Sequence, residues 1–408
     1  MPRIPPELCA RCKGYKRLCG LPRCPLLEAF QAQVRAASLV SGSRVEGATP
    51  PAALVGEHGY PKVNLYYMVP PSVFGDEARY YDSPRDWLAR RETLAGIIRL
   101  RSQLISARLR VDARSPEDLY AREVSLALVS AAPVGSEAIL AKPPTPRLSF
   151  NGITRPRGPA APAVKVEVEE NPKPDPRLEK MIFDDARAEE AAWELYRSGV
   201  DVYTIQKALS LGLLGRLRAR RLVPTRWAIT AVDDMLSRRL REEIRDYESV
   251  DQVEVYQAEY LGNNFVIIIA PGYGTFEWIE AWYPNTAWTR SARSTIIFRL
   301  EEDPLGRATG EDGGYSAARL SVLEHLSRRR RTGDVIILRE IKPDYYAPVG
   351  NWHIRETVRA ALSSGPKRVF SSLDEAIAFA KSLLDREGSR VLGYSRLARG
   401  IRRISDFL

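Results

Sequence analysis

Blocks of helical and strand-like hydrophobic periodicity follow one another along the second half of the chain. Apolar residues at a spacing of about 3.6 predict helices, and alternating or continuous apolar runs predict strands. The predicted helices cover residues 184–198, 201–211, 230–246, 315–329, 352–362 and 373–384. The predicted strands cover residues 252–260, 264–270, 275–283, 294–300 and 334–341. A turn signal at residues 262–264 joins the first two strands, which indicates an antiparallel meander.

The first half of the chain has clear helix starts but a less regular pattern. Residues 83–86 and 115–118 both read Ser-Pro-x-Asp, which is typical of a capped helix start. Apolar residues between positions 94 and 109 recur at helical spacing. Residues 143–176 contain nine of the 29 prolines, yet Val164–Val168 alternates like a strand. This segment is therefore either a flexible linker or an extended segment on a folded body.

Together these patterns predict a mixed α/β protein. We expect a cysteine-rich module at residues 1–30 and a central α+β domain with the antiparallel meander at residues 31–290. A C-terminal α/β domain should follow at residues 291–392, and residues 393–408 should form a tail. The 408 residues are enough for two or three domains with their own cores.

The basic excess of the chain lies at its two ends. Of the net charge of +10, residues 1–24 carry +5 and residues 386–408 carry +4, so the long segment between them is nearly neutral. This distribution argues against a protein coated in positive charge. The longest apolar run, Phe265–Ala270, is too short to span a membrane, and the N-terminus lacks a signal peptide. We expect a soluble, cytoplasmic protein without membrane contact.

All four cysteines fall within sixteen positions, as Cys9, Cys12, Cys19 and Cys24. Four thiolates at short spacing are typical of a structural zinc site, and a module this small lacks a core of its own. The alternatives are four buried free thiols or two disulfides. We predict a Zn(Cys)₄ site, which leaves no open coordination position for catalysis.

Residues 223–234, Val-Pro-Thr-Arg-Trp-Ala-Ile-Thr-Ala-Val-Asp-Asp, combine an exposed-looking loop with paired acids. Arg226, Asp233 and Asp234 are candidates for acid–base chemistry or for binding Mg²⁺. Thr230-x-x-Asp233 also matches a capping box, which would explain Asp233 without catalysis. Upstream basic residues and the loop tryptophan are candidates for phosphate and base contacts: Arg216, Arg218, Arg220, Arg221 and Trp227.

Three later segments place aromatic residues beside charges. Gly313-Gly314-Tyr315 opens a predicted helix, whose amides could receive a phosphate. The other two segments contain Arg339 and Glu340 at a strand end, and Trp352, Arg355 and Glu356 at a helix start. Their side chains could contact nucleic acid or form part of an active site, and a structural Arg–Glu network is the alternative. With three histidines in the chain, a His-rich metal site is excluded.

These motifs resemble those of the archaeal Nre family. The resemblance rests on residues 223–234, Gly-Gly-Tyr at 313–315, Arg-Glu-Ile at 339–341 and Trp-His-Ile-Arg-Glu at 352–356. The cysteine module and Gly-Tyr-Pro at 59–61 resemble the NreA branch of the family. The resemblance implies a role in the archaeal DNA-damage response, with DNA as partner and a C-terminal motif that docks on the sliding clamp PCNA.

The docking motif of the family has the pattern Gln-x-x-aliphatic-x-x-aromatic-aromatic. Here Ile401, Ile404, Phe407 and Leu408 occupy the four defined positions, with Ile401 in place of glutamine. Such a tail could also pack on its own domain. We therefore carry three hypotheses: a DNA-binding repair protein recruited by PCNA, a nucleic-acid- or nucleotide-processing enzyme that uses Arg226, Asp234, Arg339 and Glu340 or Glu356, and a clamp-bound protein scaffold.

Overall fold

The computed structural model describes residues 6–21, 23–50, 52–116, 119–148, 155–286, 288–289 and 292–400. The chain divides into two compact units. The first unit comprises Pro25–Ser149 and Pro156–Leu236, and the second comprises Met1–Cys24, Phe150–Arg155 and Ser237–Leu408. Helix α1 (Pro6–Cys12) belongs to the second unit. Within the described part of the chain, no helix is long and apolar enough to cross a membrane.

A six-stranded mixed sheet forms the centre of the first unit. Its strands are β1 (Arg44–Thr49), β2 (Ala53–Val55), β3 (Lys62–Val69), β4 (Ile105–Asp112), β5 (Val134–Leu140) and β6 (Ala160–Val168). The spatial order is β1-β5-β6-β4-β3-β2, in which only β4 and β6 run parallel. Strand β6 lies in the proline-rich segment, so the extended alternative for that segment is confirmed and the flexible linker is not.

The helices of this unit are, in chain order, α2 (Pro25–Ser38), α3 (Pro84–Ala89), α4 (Leu94–Gln103), α5 (Leu119–Leu128), α6 (Pro176–Ile182), α7 (Ala188–Arg197), α8 (Val202–Ser210) and the part of α9 (Thr225–Ile244) that precedes Ser237. The predicted start at Pro84 is confirmed. The second Ser-Pro signal lies partly outside the described residues, since Glu117 and Asp118 are not described. The helices predicted over 184–198 and 201–211 correspond to α7 and α8.

The predicted helix over residues 94–109 is correct only as far as Gln103. Beyond it the chain forms β4, where Ile105, Ala107 and Leu109 are all buried. A spacing of four residues returns to the same face in a strand as well as in a helix, so the apolar pattern fits both. Antiparallel pairing of β4 with β3 over Lys62–Val69 decides in favour of the strand.

The second unit is built on another six-stranded mixed sheet. Its strands are β7 (Val253–Tyr260), β8 (Asn263–Ala270), β9 (Phe276–Trp282), β10 (Ile296–Glu302), β11 (Asp334–Ile341) and β12 (Arg368–Phe370), and its larger helices are α10 (Gly313–Arg329), α11 (Trp352–Ser363), α12 (Leu373–Ser382) and α13 (Arg386–Leu392). The spatial order is β10-β9-β11-β8-β7-β12. The predicted elements are thus present, with bounds that shift by a few residues.

The predicted meander is correct for β7 and β8 and wrong for β9. Strand β11 lies between β8 and β9, antiparallel to the first and parallel to the second. Every residue of β8, β9 and β11 is buried, because strands at the centre of a sheet are covered on both faces. The strands before residue 290 and those after it therefore share one sheet.

Helices cover the two faces of this sheet. Ile336 and Leu338 of β11 pack in a core with Ala376 and Ile377 of α12 and with residues of α13. The alternate residues of β11, which include Arg339, face the side on which α11 contributes His353. Residues at positions 339 and 340 therefore point to opposite faces of the sheet.

The start of the predicted tail is packed against the second unit. Ser395, Arg396 and Leu397 are buried, and all three bind the carboxylate of Glu277 on β9. The main-chain N–H groups of Arg396 and Leu397 donate to Oε1 at 2.9 and 3.2 Å. Residues 401–408 lie outside the described residues.

Candidate functional site

A buried arginine on β11 organises the most polar part of the second unit. The guanidinium of Arg339 donates from Nε to Asn263 Oδ1 at 2.9 Å and from Nη1 to Glu280 Oε1 at 2.7 Å. Its Nη2 lies 3.1 Å from His353 Nε2. Arg339 is 4% exposed, so all of its charge must be compensated by these neighbours.

His353 accepts one of these hydrogen bonds because of its tautomer. Its Nδ1 lies 2.6 Å from the carbonyl oxygen of Gly350, which can only accept a hydrogen bond. Nδ1 therefore carries the proton, and Nε2 accepts from Arg339. Burial and the charge of Arg339 lower the pKa of His353 from 6.5 to about 3, which keeps the ring neutral.

Glu280 supplies the opposite charge. Burial raises the pKa of its carboxyl group, against the attraction of Arg339, and the carboxylate of Asp312 adds to the rise. Trp282 donates from its indole nitrogen to Glu280 Oε2 at 3.0 Å. Both oxygens of Glu280 are therefore oriented by fixed donors, which holds the side chain in one position.

Aromatic rings enclose the arginine and continue toward solvent. The guanidinium carbon lies 5.5–5.7 Å from the ring centres of Phe265, Trp282 and Tyr345. Such contacts stabilise a desolvated guanidinium. Tyr345 stacks on Trp288, with ring centres 5.4 Å apart and planes at 20°. A cavity of about 150 Å³ opens between these rings and the start of α10.

Glu340, the other candidate on this strand, lies on the opposite face. Its carboxylate accepts from Asn264 Nδ2 at 2.8 Å, Tyr283 Oη at 2.5 Å and the main-chain N–H of Asp385 at 3.0 Å. It is fully buried and holds the start of α13. Arg339 and Glu340 therefore do not meet in one cleft, and an active site that needs both has no geometric support.

The remaining candidates of the second unit are built into the protein interior. Tyr315 is buried and donates from its hydroxyl to Glu302 at 2.9 Å, where Arg319 also donates at 2.5 Å. Glu356 binds Arg359 at 2.8 Å within α11. Trp352 donates from its indole to the carbonyl of Val349, and Arg355 is fully buried. Base stacking on these rings would require them to leave the core.

The segment around Trp227 belongs to the first unit. Helix α9 begins at Thr225, five residues earlier than predicted, so Asp233 lies within the helix and the capping box at Thr230 is wrong. Asp233 is fully buried and accepts from Gln206 Nε2 at 2.8 Å. Asp234 is half-buried on the same helix. Trp227 is 57% exposed, beside the exposed Arg226.

The four upstream arginines differ in their surroundings. Arg220 is buried and donates to the main-chain carbonyls of Gly215, Ile182 and Asp184, so it holds loops together. Arg216, Arg218 and Arg221 are exposed. Three of the four residues thus keep the surface position that phosphate contact requires.

The four cysteines lie in the described part of the chain. Cys9, Cys12 and Cys19 are buried, Cys24 is half-buried, and none forms a disulfide. Burial acts to raise the pKa of the Cys12 thiol, but main-chain N–H groups from Leu18, Gly14, Cys19 and Arg17 outweigh it, so the pKa is lowered. Among the described residues, no three metal-ligating side chains are grouped as a metal site.

Comparison with known proteins gives matches along almost the whole chain. The family model described as "Archaeal Nre, N-terminal" matches residues 18–289, and "Archaeal Nre, C-terminal" matches residues 302–407. The chain belongs to the archaeal Nre family. The family resemblance drawn from the sequence motifs is therefore confirmed. No solved structure matches this Nre protein.

Three curated relatives are 35–38% identical to this family member over the aligned residues. Two come from Archaeoglobus fulgidus: "DNA repair protein NreB", 38% identical over 91% of this chain and 92% of its own, and "DNA repair protein NreA", 36% identical over 94% and 95%. The third, "DNA repair protein NreA" of Haloferax volcanii, is 35% identical over 82% of each chain.

Most residues that contact Arg339 lie outside the sequence motifs of this Nre protein. Glu280 and Asn263 lie in other strands, and Trp288 lies in a loop. One available signal was the occurrence of acids inside strands that are otherwise apolar, at Glu277 and Glu280. A carboxylate at a position buried on both faces requires a partner, which predicts a buried arginine nearby.

We expect His353→Gln to reduce the acid sensitivity of folding. The histidine has a pKa of about 3 in the folded protein and about 6.5 when unfolded, so the unfolded state binds more protons between these values. Stability due to this group is complete above about pH 6.5 and is lost as the pH falls toward 3. Between about pH 7.5 and about pH 4.5, His353→Gln should therefore lose about 3 kcal/mol less stability than wild type, because glutamine does not titrate.

Urea denaturation of wild type and variant at both pH values measures this difference. Glu280 is common to both proteins, so its own titration cancels. His58→Gln, at an exposed position, is the control and should leave the pH profile unchanged. Parallel pH profiles for wild type and His353→Gln would contradict the assignment of a neutral His353.

Proposed function

We propose that this Nre protein acts in DNA repair, binds nucleic acid and is recruited by the PCNA sliding clamp. The observation that carries the proposal is the match to relatives named as DNA repair proteins over more than 90% of both chains. A match of this extent covers both compact units and the segments that connect them, so a shared single domain does not explain it.

Nucleic-acid binding draws its support from the surface of the first unit. Arg216, Arg218 and Arg221 are exposed, and the exposed Arg226 and Trp227 follow on the next element. Exposed arginines neutralise phosphates, and an exposed indole can stack on an unpaired base. We propose this set of five residues, the Arg–Trp surface, as the principal contact with the DNA backbone.

Removing charge from the Arg–Trp surface should weaken DNA binding and flatten its salt dependence. We expect Arg216→Gln with Arg218→Gln to lower the slope of log K against log salt by about 1.8 if each residue contacts one duplex phosphate. Fluorescence anisotropy with a labelled duplex, titrated at several salt concentrations, measures both quantities.

The control for this experiment removes the same charge elsewhere in the first unit. Arg35→Gln with Lys180→Gln alters two exposed basic residues outside the surface and should leave the slope near that of wild type. An equal effect of both double variants would mean that net charge, rather than this surface, determines binding. No salt-dependent binding by wild type would contradict the proposed DNA contact and favour the scaffold hypothesis.

Clamp recruitment is proposed for Ile401, Ile404, Phe407 and Leu408, which lie outside the described residues. The support is their hydrophobic spacing together with the anchoring of the residues before them. Glu277 fixes residues 395–397, and Gly400, with φ of 67°, ends the last helical turn. A short motif next to a fixed anchor has less conformational freedom to lose on docking.

Deleting residues 401–408 should abolish binding to PCNA without unfolding the protein. Ile401→Gln, which restores the glutamine of the family motif, should instead tighten binding. Isothermal titration calorimetry with PCNA measures both variants, and circular dichroism checks the fold. Unchanged clamp affinity after the deletion would exclude the tail as the docking motif.

A structural zinc ion on Cys9, Cys12, Cys19 and Cys24 remains a proposal. Its support is the donor set of four thiols and the main-chain N–H groups directed at the Cys12 sulfur, which favour a thiolate. The described cysteines are not grouped as a metal site, so zinc binding would require their side chains to converge.

Elemental analysis of the purified protein should give about one zinc per chain. Cys12→Ser should lose most of the metal, because it removes a thiolate ligand. Leu18→Ser changes an exposed side chain of the same loop without removing a ligand, and should retain the zinc. A folded wild-type protein without zinc would refute this site.

A further inference from the structure

The cavity beside Arg339 has no role in the proposed contacts with DNA backbone and clamp. Its walls include Glu280, Trp282, Trp288, Asp312, Tyr345 and Asn351, all of them in the second unit. A cavity of about 150 Å³ is large enough for one six-membered aromatic ring, since a protein cavity of about that size binds benzene. The size therefore fits a single planar ring.

The aromatic walls favour a flat ligand. Tyr345 stacks on Trp288, and Trp282 packs edge-on against Trp288 with ring centres 5.4 Å apart. Tyr345 and Trp282 are almost fully buried, whereas Trp288 is only half-buried. Trp288 is therefore the ring of this set that an incoming planar group can reach from solvent.

Two carboxylates, Asp312 and Glu280, line the cavity together with Arg155 and Arg339. Asp312 caps α10, and its Oδ1 accepts the main-chain N–H of Tyr315 at 2.8 Å. Its second oxygen, Oδ2, has no hydrogen-bond partner among the residues that the structure describes. The nearby carboxylate of Glu280 is held by Arg339 and Trp282. At Asp312, a ligand group that donates a hydrogen bond is thus favoured over one that accepts it.

This charge distribution argues against a phosphate inside the cavity. The N-terminus of α10 would by itself attract an anion. Here Asp312 already accepts the Tyr315 amide, and its carboxylate lies close enough to Glu280 to add to the rise in the pKa of that carboxyl group. Arg155 lines the cavity and is exposed, so a phosphate joined to the ligand is better accommodated toward solvent, near that side chain.

We propose that this cavity binds one unstacked nucleobase that carries an exocyclic amino group, with its ring on Trp288 and its amino group at Asp312. The inference rests on the proposed DNA-binding function and names the part of DNA that the second unit recognises. Carboxylates accept hydrogen bonds from the cytosine amino group, and aromatic side chains stack on any base. Bases at mismatches, lesions and single-stranded sites leave the stack at least cost, which suits a repair protein.

The Asp312→Asn variant tests the proposed hydrogen bond with little change in folding. Asparagine caps helices as well as aspartate does, so its oxygen keeps the bond to the Tyr315 amide and its NH₂ group takes the place of Oδ2. The group that faces the ligand at position 312 thus changes from a hydrogen-bond acceptor to a donor. Wild type should bind dCMP about tenfold or more tightly than dTMP, and Asp312→Asn should reverse this order, as calorimetry with each nucleotide measures.

Asp201→Asn is the matched control for the change of charge and cap. Asp201 caps α8 in the first unit through the Tyr203 amide at 2.8 Å and lies outside the cavity. This variant should keep the preference for dCMP. Equal binding of both nucleotides by wild type, or an unaltered preference in Asp312→Asn, would overturn the proposal.

Trp288→Ala tests the stacking separately. Loss of one stacked base should weaken binding of dCMP and of a cytosine-containing single strand by about fivefold or more. Trp193→Ala is the control, because Trp193 is also half-buried and stacked on a tyrosine, Tyr196, but belongs to the first unit. Equal weakening by both variants would contradict a specific role of Trp288.

The two proposals can fail independently. If wild type binds DNA with salt dependence but neither nucleotide binds and Trp288→Ala has no effect, the cavity proposal is wrong and the DNA-binding function stands. If dCMP binds with the expected preference but DNA does not, the DNA-binding function is wrong and the ligand class of the cavity stands.

Discussion

The second unit depends on how it compensates the buried positive charge of Arg339. Arg339 occupies a central strand, where both faces are covered and water cannot solvate the guanidinium. Its charge is compensated by Glu280 from the neighbouring parallel strand, by Asn263 from the antiparallel one, and by a neutral histidine from α11. Removing one partner of such a buried pair costs about 3–5 kcal/mol, because the other charge remains unpaired. The position of α11 over the sheet is therefore tied to the register of three strands.

The same solution recurs at other points of this unit. Glu302 at the end of β10 accepts hydrogen bonds from Arg319 and Tyr315. Glu277 accepts them from the main-chain N–H groups of residues 396 and 397. Glu340 accepts them from the Tyr283 hydroxyl and from the main-chain N–H of Asp385, just before α13. Each acid lies in a strand, and its partner comes from an element that packs on the sheet. Since buried polar groups are costly unless satisfied, each contact specifies where its helix or loop must lie.

The side chains that form the buried networks are therefore different from those that a ligand could reach. The sequence motifs predict nucleic-acid contacts or catalysis for four residues that the structure buries in the interior: Tyr315, Trp352, Arg355 and Glu356. Trp288, Asp312 and Arg155 line the cavity beside this buried network. A site supported by a fixed network binds a planar ligand with less loss of freedom than one built on mobile loops. In the first unit, the arginines of the proposed Arg–Trp surface are instead exposed, as contact with a uniform phosphate backbone requires.

The sequence by itself determined the family, the positions of most helices and strands of the second unit, and the clustering of cysteines and basic ends. These features depend on local periodicity, on turn residues and on long motifs, all of which can be read along the chain. Only the tertiary structure decided that β11 separates β8 from β9, that residues 105–109 form a strand, and that Arg339 and Glu340 face opposite sides. Strand order and burial depend on contacts between residues far apart in sequence, and apolar spacing fits several such arrangements equally well. The partners of Arg339 come from residues 263, 280 and 353, and no local pattern connects them.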